Sequence, residues 1–261
     1  MKKSISKQAR TWALAGVGAV AIAALCLLLI PAWSPLRISM ARGSMIEYAQ
    51  SRYADSSFEY SGASYDADSG LYTLQARSPS GVDAHFTLRC TADGKVSDDY
   101  ADAIERRGST RTRLQSELEA YVLQSLTEST VLDVSSVTAK LGDDDSYDAN
   151  AFTPGMELDA TALPQPLALE LLIVSDGLGD ESVAKALITV DAALDARGVD
   201  VHAYTLTLLM YSGEPGSREG LNQAVSRFTL SDFPAEGIAD TSEFLQALSE
   251  YIETQRLQSY K

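Results

Sequence analysis

LYTLQARSPSGVDAHFTLRC, residues 71–90, contains two strand patterns separated by a Pro-Ser-Gly turn. In the second pattern apolar and polar side chains alternate, so that Cys90 falls on the apolar face and His85 on the polar face. A period of two is typical of a strand with one buried face, and strands joined by short turns pair antiparallel. The stretch therefore predicts an antiparallel meander with Cys90 in its core.

The segments on either side extend this meander into a first α+β domain, residues 37–108. Residues 58–65 carry a further strand pattern. Residues 37–53 place apolar side chains along one helical face, which predicts an amphipathic helix before the meander. After the meander, the carboxylates of Asp98 and Asp99 suit the N-terminal end of a helix dipole, so we expect a helix to begin there.

The remaining residues, 109–261, predict a second domain. Residues 167–174 are apolar apart from Glu170, which is typical of a central strand. A helical pattern follows over residues 180–197 and a strand pattern over residues 201–211. Strand, helix and strand in this order are typical of a mixed α/β layer. The fold class predicted for the outer chain is therefore α+β.

An uncharged run, residues 11–36, precedes both domains and predicts a membrane anchor. Residues 12–30 would span roughly 28 Å as a helix, about the thickness of the hydrocarbon core of a bilayer. Four Lys and Arg residues lie in residues 1–10, and the positive-inside rule places such a tail in the cytoplasm. We therefore expect a single-pass protein of the cell membrane. Residues 12–30 would lie in the lipid bilayer, and both domains would be extracytoplasmic.

Two alternatives for this run, a cleavable signal peptide and a lipoprotein signal, fit less well. The apolar run is longer than the roughly 7–15 residues of a signal peptide, and residues 39–41 (Ser-Met-Ala) are a poor cleavage site. A lipoprotein needs a small residue before its modified cysteine, but Leu25 precedes Cys26. Cys26 then lies in the membrane, and Cys90 is the one cysteine outside it, so we expect no internal disulfide.

The outer part is strongly acidic. From residue 43 onward it has 15 Lys and Arg residues against 36 Asp and Glu residues, a net charge of −21, compared with −15 for the whole chain. Nucleic-acid binding needs a basic surface, so we predict no nucleic-acid partner. An acidic surface attracts cations and basic partners, and it also keeps a protein soluble. The composition favours the second of these roles.

The one basic cluster of the outer part is formed by Arg106, Arg107, Arg111 and Arg113. One interpretation is a solvated joint between the domains, in which exposed arginines contribute little to stability. The other is an electrostatic contact with an acidic stretch elsewhere in the chain. The sequence favours the solvated joint.

Residue types that carry catalysis are scarce. The two histidines, His85 and His202, lie on predicted strands, and neither has a Ser or Cys in a nucleophile setting beside it. Residues 216–220 (Gly-Ser-Arg-Glu-Gly) place the serine wrongly for a nucleophile elbow. No glycine-rich phosphate loop follows a predicted strand. We therefore predict no catalytic residue and no cofactor.

One acidic stretch, residues 142–165, is a candidate for Ca²⁺ binding, because Ca²⁺ takes six to eight oxygen ligands. The candidate ligands are Asp143, Asp144, Asp145 and Asp148. The alternation over residues 144–148 resembles that of an EF-hand, but Ala149 and Gly155 stand where an EF-hand needs Gly and Glu. The sequence favours a solvated acidic loop over a low-affinity metal site.

The run SYDADSGLYTLQARSPSGVDAHFTLRCTADGKVSDDY, residues 64–100, resembles the YfjL-like family of Gram-positive membrane proteins. The shared pattern is two tyrosine-bearing strands, a third strand and then G-x-x-x-D-D-Y, here Gly94, Asp98, Asp99 and Tyr100. The resemblance implies an α+β fold that is cystatin-like in the first half. It implies no activity, because the family is itself uncharacterised.

These observations lead to two hypotheses about function. The first is a membrane-anchored extracytoplasmic module that binds or senses a partner, such as a protein at the cell surface, without catalysis. The alternative is an extracytoplasmic hydrolase that uses carboxylates alone. A deep cleft with two carboxylates of raised pKa would favour the hydrolase.

Overall fold

The computed structural model describes residues 32–54, 57–79, 81–144, 146–211 and 224–258. The fold is α+β, as the sequence predicts, with one antiparallel and one mixed sheet. The chain divides into two compact units. Residues up to 80 together with 84–100 form the first unit, and residues 81–83 together with 101 onward form the second.

The first unit is a helix packed on an antiparallel sheet. Its elements are α1 (Pro35–Arg52), β1 (Glu59–Tyr60), β2 (Ser64–Asp66), β3 (Leu71–Arg77), β4 (His85–Cys90) and β5 (Val96–Asp98). The strands lie in the order β1-β3-β4-β5, and β2 also pairs with β3. Leu74 lies opposite Leu88 in the β3–β4 register. The predicted meander is confirmed, and Cys90 is buried at 1% exposure.

One sequence prediction for this unit is wrong in detail. The strand expected over residues 58–65 is interrupted, and β1 and β2 are separate short strands on β3. The helical segment expected near Asp98 and Asp99 is present, because Asp98 ends β5 and a π-helical turn, Ala101–Glu105, follows. The Asp98 carboxylate accepts hydrogen bonds from the backbone N–H of Tyr100 (3.0 Å) and from the hydroxyls of Tyr48 (2.7 Å) and Tyr53 (2.9 Å). Its oxygens therefore serve the start of this segment as well as long-range contacts.

The second unit combines a four-stranded sheet with three α-helices. Its elements are α2 (Gly108–Ser129), β6 (Asp133–Leu141), β7 (Leu167–Val174), α3 (Asp180–Asp195), β8 (Ala203–Tyr211), β9 (Ala224–Pro234) and α4 (Ser242–Gln258). The strand order is β6-β7-β8-β9, in which β7 and β8 are parallel and the outer pairs are antiparallel. Parallel neighbours need a crossover connection, and α3 supplies it. The predicted mixed layer is confirmed.

The core of this unit forms where the apolar stripes of the helices meet the sheet. α3 contacts both α2 and α4. Each helix buries residues at the spacing of a helical face, including Leu114, Leu118 and Val122 on α2, Val183, Leu187 and Val190 on α3, and Phe244, Leu248 and Ile252 on α4. The sheet contributes Leu169, Ile173, Leu206 and Leu208.

The expected membrane anchor, residues 11–36, lies outside the described residues except for positions 32–36. Among the residues that are described, none of the helices combines the length and apolar character that a membrane span requires. The first described helix, α1, starts with Pro35 in its first turn, and its N-cap is Ser34. The side chain of Ser34 accepts a hydrogen bond from the backbone N–H of Arg37.

Candidate functional site

The four candidate Ca²⁺ ligands do not converge among the described residues. Asp144 pairs with Arg111, and Asp148 caps the short helical turn Ala149–Ala151 by accepting from the N–H of Asn150. Asp143 accepts from the hydroxyl of Ser146 at 3.4 Å, and Asp145 lies outside the described residues. Within the described part of the chain, no three His, Cys, Asp or Glu side chains are grouped to hold a metal ion. The Ca²⁺ site stays a prediction.

Arg111, from the basic cluster, contacts an acidic stretch of the chain. This is the interpretation that the sequence did not favour. It is buried, and its guanidinium donates to the carbonyls of Leu141 (2.8 Å) and Gly142 (2.9 Å) and to the Asp144 carboxylate (2.8 Å). It also lies over the ring of Tyr147, 4.4 Å from the centroid. The electrostatic interpretation is therefore correct for Arg111, and the expectation of a solvated joint is wrong for it.

A second member of the cluster, Arg113, holds the buried carboxylate of Asp83. The pair is bidentate, at 2.7 and 3.0 Å, and the N–H of Gly155 donates to the same carboxylate at 2.7 Å. The hydrogen bond from Arg113 is the main reason that the pKa of Asp83 lies below its ordinary value, against the opposing effect of burial. Both carboxylate oxygens of Asp83 have partners in the second unit, so this ion pair is a structural contact.

A different part of the second unit forms a cavity of about 810 Å³, which we call the acidic cavity. Its walls come from the loop 160–166, the last turns of α3, the residues before β8 and the segment 234–238 after β9. Backbone hydrogen bonds join these walls. The N–H of His202 donates to the carbonyl of Leu167 (2.7 Å), and the carbonyl of His202 accepts from Ala235 (3.0 Å). The cavity is thus built on strand ends rather than on a single loop.

The charge of the acidic cavity has one sign. Asp191, Asp195, Asp200 and Glu236 line it, together with His202, and none of its described lining residues is Lys or Arg. The first two lie in the final turns of α3, where the C-terminal end of the helix dipole adds negative potential. Apolar side chains, including Leu163, Val201 and Ile238, complete the walls. Such a lining suits a ligand that carries positive charge on an apolar body.

Asp191 is the carboxylate with the most perturbed surroundings in the acidic cavity. It accepts a hydrogen bond of 2.9 Å from the hydroxyl of Tyr204, which is fully buried. Burial raises the pKa of Asp191, the hydrogen bond from Tyr204 opposes this, and the charge of Asp195 adds to the rise. The pKa of Tyr204 is raised as well, first by burial and then by the charge of Asp191. Each shift favours the protonated form of its own group relative to that group in water.

No family model, curated protein or solved structure matches the chain. The resemblance to the YfjL-like family accordingly stays a prediction.

From the sequence, the residues of the acidic cavity are not predicted to form a site, although one signal is present. Asp191 and Asp195 are four residues apart, on one face at the end of a helix, where carboxylates are disfavoured by the dipole. Residues that go against such a local preference often lie at functional positions. The other walls are distant in sequence, and only the fold brings them together.

Proposed function

We propose that the protein is a single-pass, membrane-anchored extracytoplasmic module that binds a positively charged partner without catalysis, and that the acidic cavity is its binding site. The observation that carries this proposal is a cavity of about 810 Å³ lined by four carboxylates and, among its described lining residues, by no Lys or Arg. The anchor rests on the uncharged run of residues 11–36 and on the Lys and Arg residues before it.

The size and lining of the acidic cavity define the class of ligand. Binding sites for small molecules usually have about 300–1,000 Å³, which includes this volume. The carboxylates would bind an ammonium or guanidinium group, and the apolar walls would bury an alkyl chain. An organic amine meets these requirements, and so does a Lys or Arg side chain of a protein at the cell surface. The strongly acidic outer part would also steer such a cation towards the site.

A matched pair of ligands tests the proposal. We expect 1,8-diaminooctane to raise the melting temperature of the full-length protein in lipid nanodiscs, because a ligand that binds only the folded state stabilises it by mass action. The neutral 1,8-octanediol has the same length and should have no comparable effect. The stabilisation should weaken as salt is added, since exposed charges are screened.

Two variants locate the effect. Asp195→Asn combined with Asp200→Asn removes two carboxylates of the cavity and should abolish most of the response to the diamine. Asp133→Asn, at the start of β6 and outside the cavity lining, removes an exposed carboxylate and should leave the response unchanged. An equal response to the diol, or an undiminished response in the double variant, would contradict the proposal.

One observation favours the hydrolase as a second candidate. Asp191 is a cavity carboxylate with a raised pKa, as a general acid requires. A hydrolase of this kind also needs a second carboxylate as base or nucleophile, for which Asp195 and Asp200 are available in the same cavity. Incubation of the protein with peptidoglycan and glycan substrates distinguishes the candidates. Turnover that is lost in Asp191→Asn would replace the binding module by the enzyme.

A further inference from the structure

The start of α1 presents an apolar surface to solvent. Trp33, Leu36 and Met40 are 69%, 51% and 53% exposed. Seven large apolar residues are strongly exposed in the described part of the chain, and three of them lie within residues 33–40. Leu36 and Met40 are four residues apart and so share one face of the helix, away from the buried face of Ala41 and Met45.

A shallow apolar groove of about 530 Å³ continues this surface. It is bordered by Arg37 and Met40 on α1 and by Tyr72 and Cys90 on β3 and β4, and the turn 91–94 closes it. We call the exposed residues 33, 36 and 40 and this groove the entry face of the first unit. Further along α1 the outward positions become polar at Glu47 and Ser51, so the helical part of the entry face is confined to the start of α1.

The helical part of the entry face differs in charge from the rest of the outer part, whereas the groove beside it is lined by one carboxylate, that of Asp93. Arg37 and Arg42 are the only ionisable side chains in residues 32–46, and the first acid of α1 is Glu47. From residue 43 onward, in contrast, the chain carries a net charge of −21. A local positive charge beside exposed apolar side chains is typical of helices that lie in the headgroup region of anionic membranes.

The entry face lies next to the proposed anchor in the sequence. The apolar run that we propose as the anchor ends at Ile30, three residues before Trp33. We propose that the entry face docks on the outer surface of the same bilayer, with Trp33, Leu36 and Met40 in the headgroup and acyl boundary. This inference rests on the proposed anchor and goes beyond it, because an anchor alone would leave the exposed side of α1 in water.

Fluorescence quenching by brominated lipids tests the docking. The full-length protein is reconstituted in vesicles of phosphatidylcholine and phosphatidylglycerol with bromine on the acyl chains. Three variants carry one tryptophan each. Trp33→Phe leaves Trp12 within the predicted anchor. Met40→Trp and Val131→Trp, each combined with Trp12→Phe and Trp33→Phe, report on the entry face and on an equally apolar, 95% exposed control position of the second unit.

We expect the brominated lipid to quench about half of the Met40→Trp emission, because an interfacial helix buries its apolar face roughly 5–10 Å into this boundary. The Val131→Trp emission should not change. Replacing both Arg37 and Arg42 by Gln should reduce the quenching of Met40→Trp, since the attraction to phosphatidylglycerol is lost. Circular dichroism of each variant verifies the fold.

The remaining outcomes separate the two proposals. If Trp12 itself is not quenched, the anchor is wrong. If Trp12 is quenched but Met40→Trp is quenched no more than Val131→Trp, the anchor stands and the docking of the entry face is overturned. If Met40→Trp is shielded from aqueous acrylamide without quenching by lipid bromine, a protein surface covers the entry face, and the docking is overturned as well.

Discussion

At the scale of single residues, two carboxylates of the second unit have opposite electrostatic surroundings. Asp83 is held by the guanidinium of Arg113, which lowers its pKa, whereas burial raises the pKa of Asp191. A lowered pKa means that folding favours the ionised form, and a raised pKa means that folding favours the protonated form. The two residues should therefore change the stability of the protein with pH in opposite directions.

We predict that Asp83→Asn destabilises the protein by about 2–3 kcal/mol at pH 7, because Arg113 loses a buried ionic partner. The contribution of Asp83 is present above its ordinary pKa, near 3.9, and is lost as the pH falls through the lower pKa of the folded state. The destabilisation should therefore shrink in acid. Urea unfolding of parent and variant from pH 3 to pH 7 measures it, with Asp133→Asn as the exposed control. A loss that is independent of pH would show that charge plays no part.

For Asp191→Asn we predict a gain in stability at pH 7 rather than a loss. The raised pKa gives a stability contribution that is complete below the ordinary pKa and is lost as the pH rises through the folded-state value. The amide oxygen can still accept from Tyr204, so the variant should melt about 2–4 °C higher than the parent at pH 7. Below the ordinary pKa, near 3.9, the two proteins should melt together. Thermal scans at both pH values test this, and a lower melting temperature of the variant at pH 7 would contradict the assignment.

At the scale of elements, periodicity in the sequence was enough to predict those that alternate strongly. β7 (Leu167–Val174) matches its predicted bounds, and β4 places Cys90 in the core as expected. Contacts between residues far apart in the sequence were not predictable. The hydroxyl of Tyr48, 50 residues away, donates to the carboxylate of Asp98, and Arg111 is buried by partners about 30 residues further along. Short-range patterns carry no record of such contacts.

The loop between β6 and β7 contains the candidate Ca²⁺ ligands. Asp144 is already paired with the guanidinium of Arg111, whose positive charge repels a second cation. We therefore expect millimolar Ca²⁺ to leave the melting temperature of the parent unchanged. In Arg111→Gln the competing charge is removed, and Asp144 becomes available, together with the neighbouring Asp143 and Asp148, for weak binding at about 10⁻⁴ to 10⁻³ M. Thermal scans with Ca²⁺ and with Mg²⁺ as the control measure both proteins. A Ca²⁺-specific rise in the parent would establish the metal site despite the ion pair.

At the scale of the whole molecule, the distribution of charge and apolar residues assigns different roles to different parts of the chain. Each unit has a core of its own, with buried side chains from helix and sheet. The proposed functions divide in the same way, because the entry face belongs to the first unit and the acidic cavity to the second. The sequence predicts the anchor and shows the overall acidity. It could not make the acidic cavity visible, since four separate segments form its walls.

The orientation of the chain in the membrane is the prediction on which both proposals depend. Four Lys and Arg residues precede the apolar run, and Arg37 and Arg42 are the two that follow it closely. By the positive-inside rule, this bias predicts that the N-terminus lies inside and both units lie outside. Protease added to intact protoplasts should therefore remove the outer units and leave a small membrane-bound fragment. Replacing Lys2, Lys3 and Lys7 by Gln leaves Arg10 alone before the run against the two arginines after it, so a measurable fraction of that variant should become protected. Complete protection of the parent protein would reverse the topology and would place the acidic cavity on the cytoplasmic side.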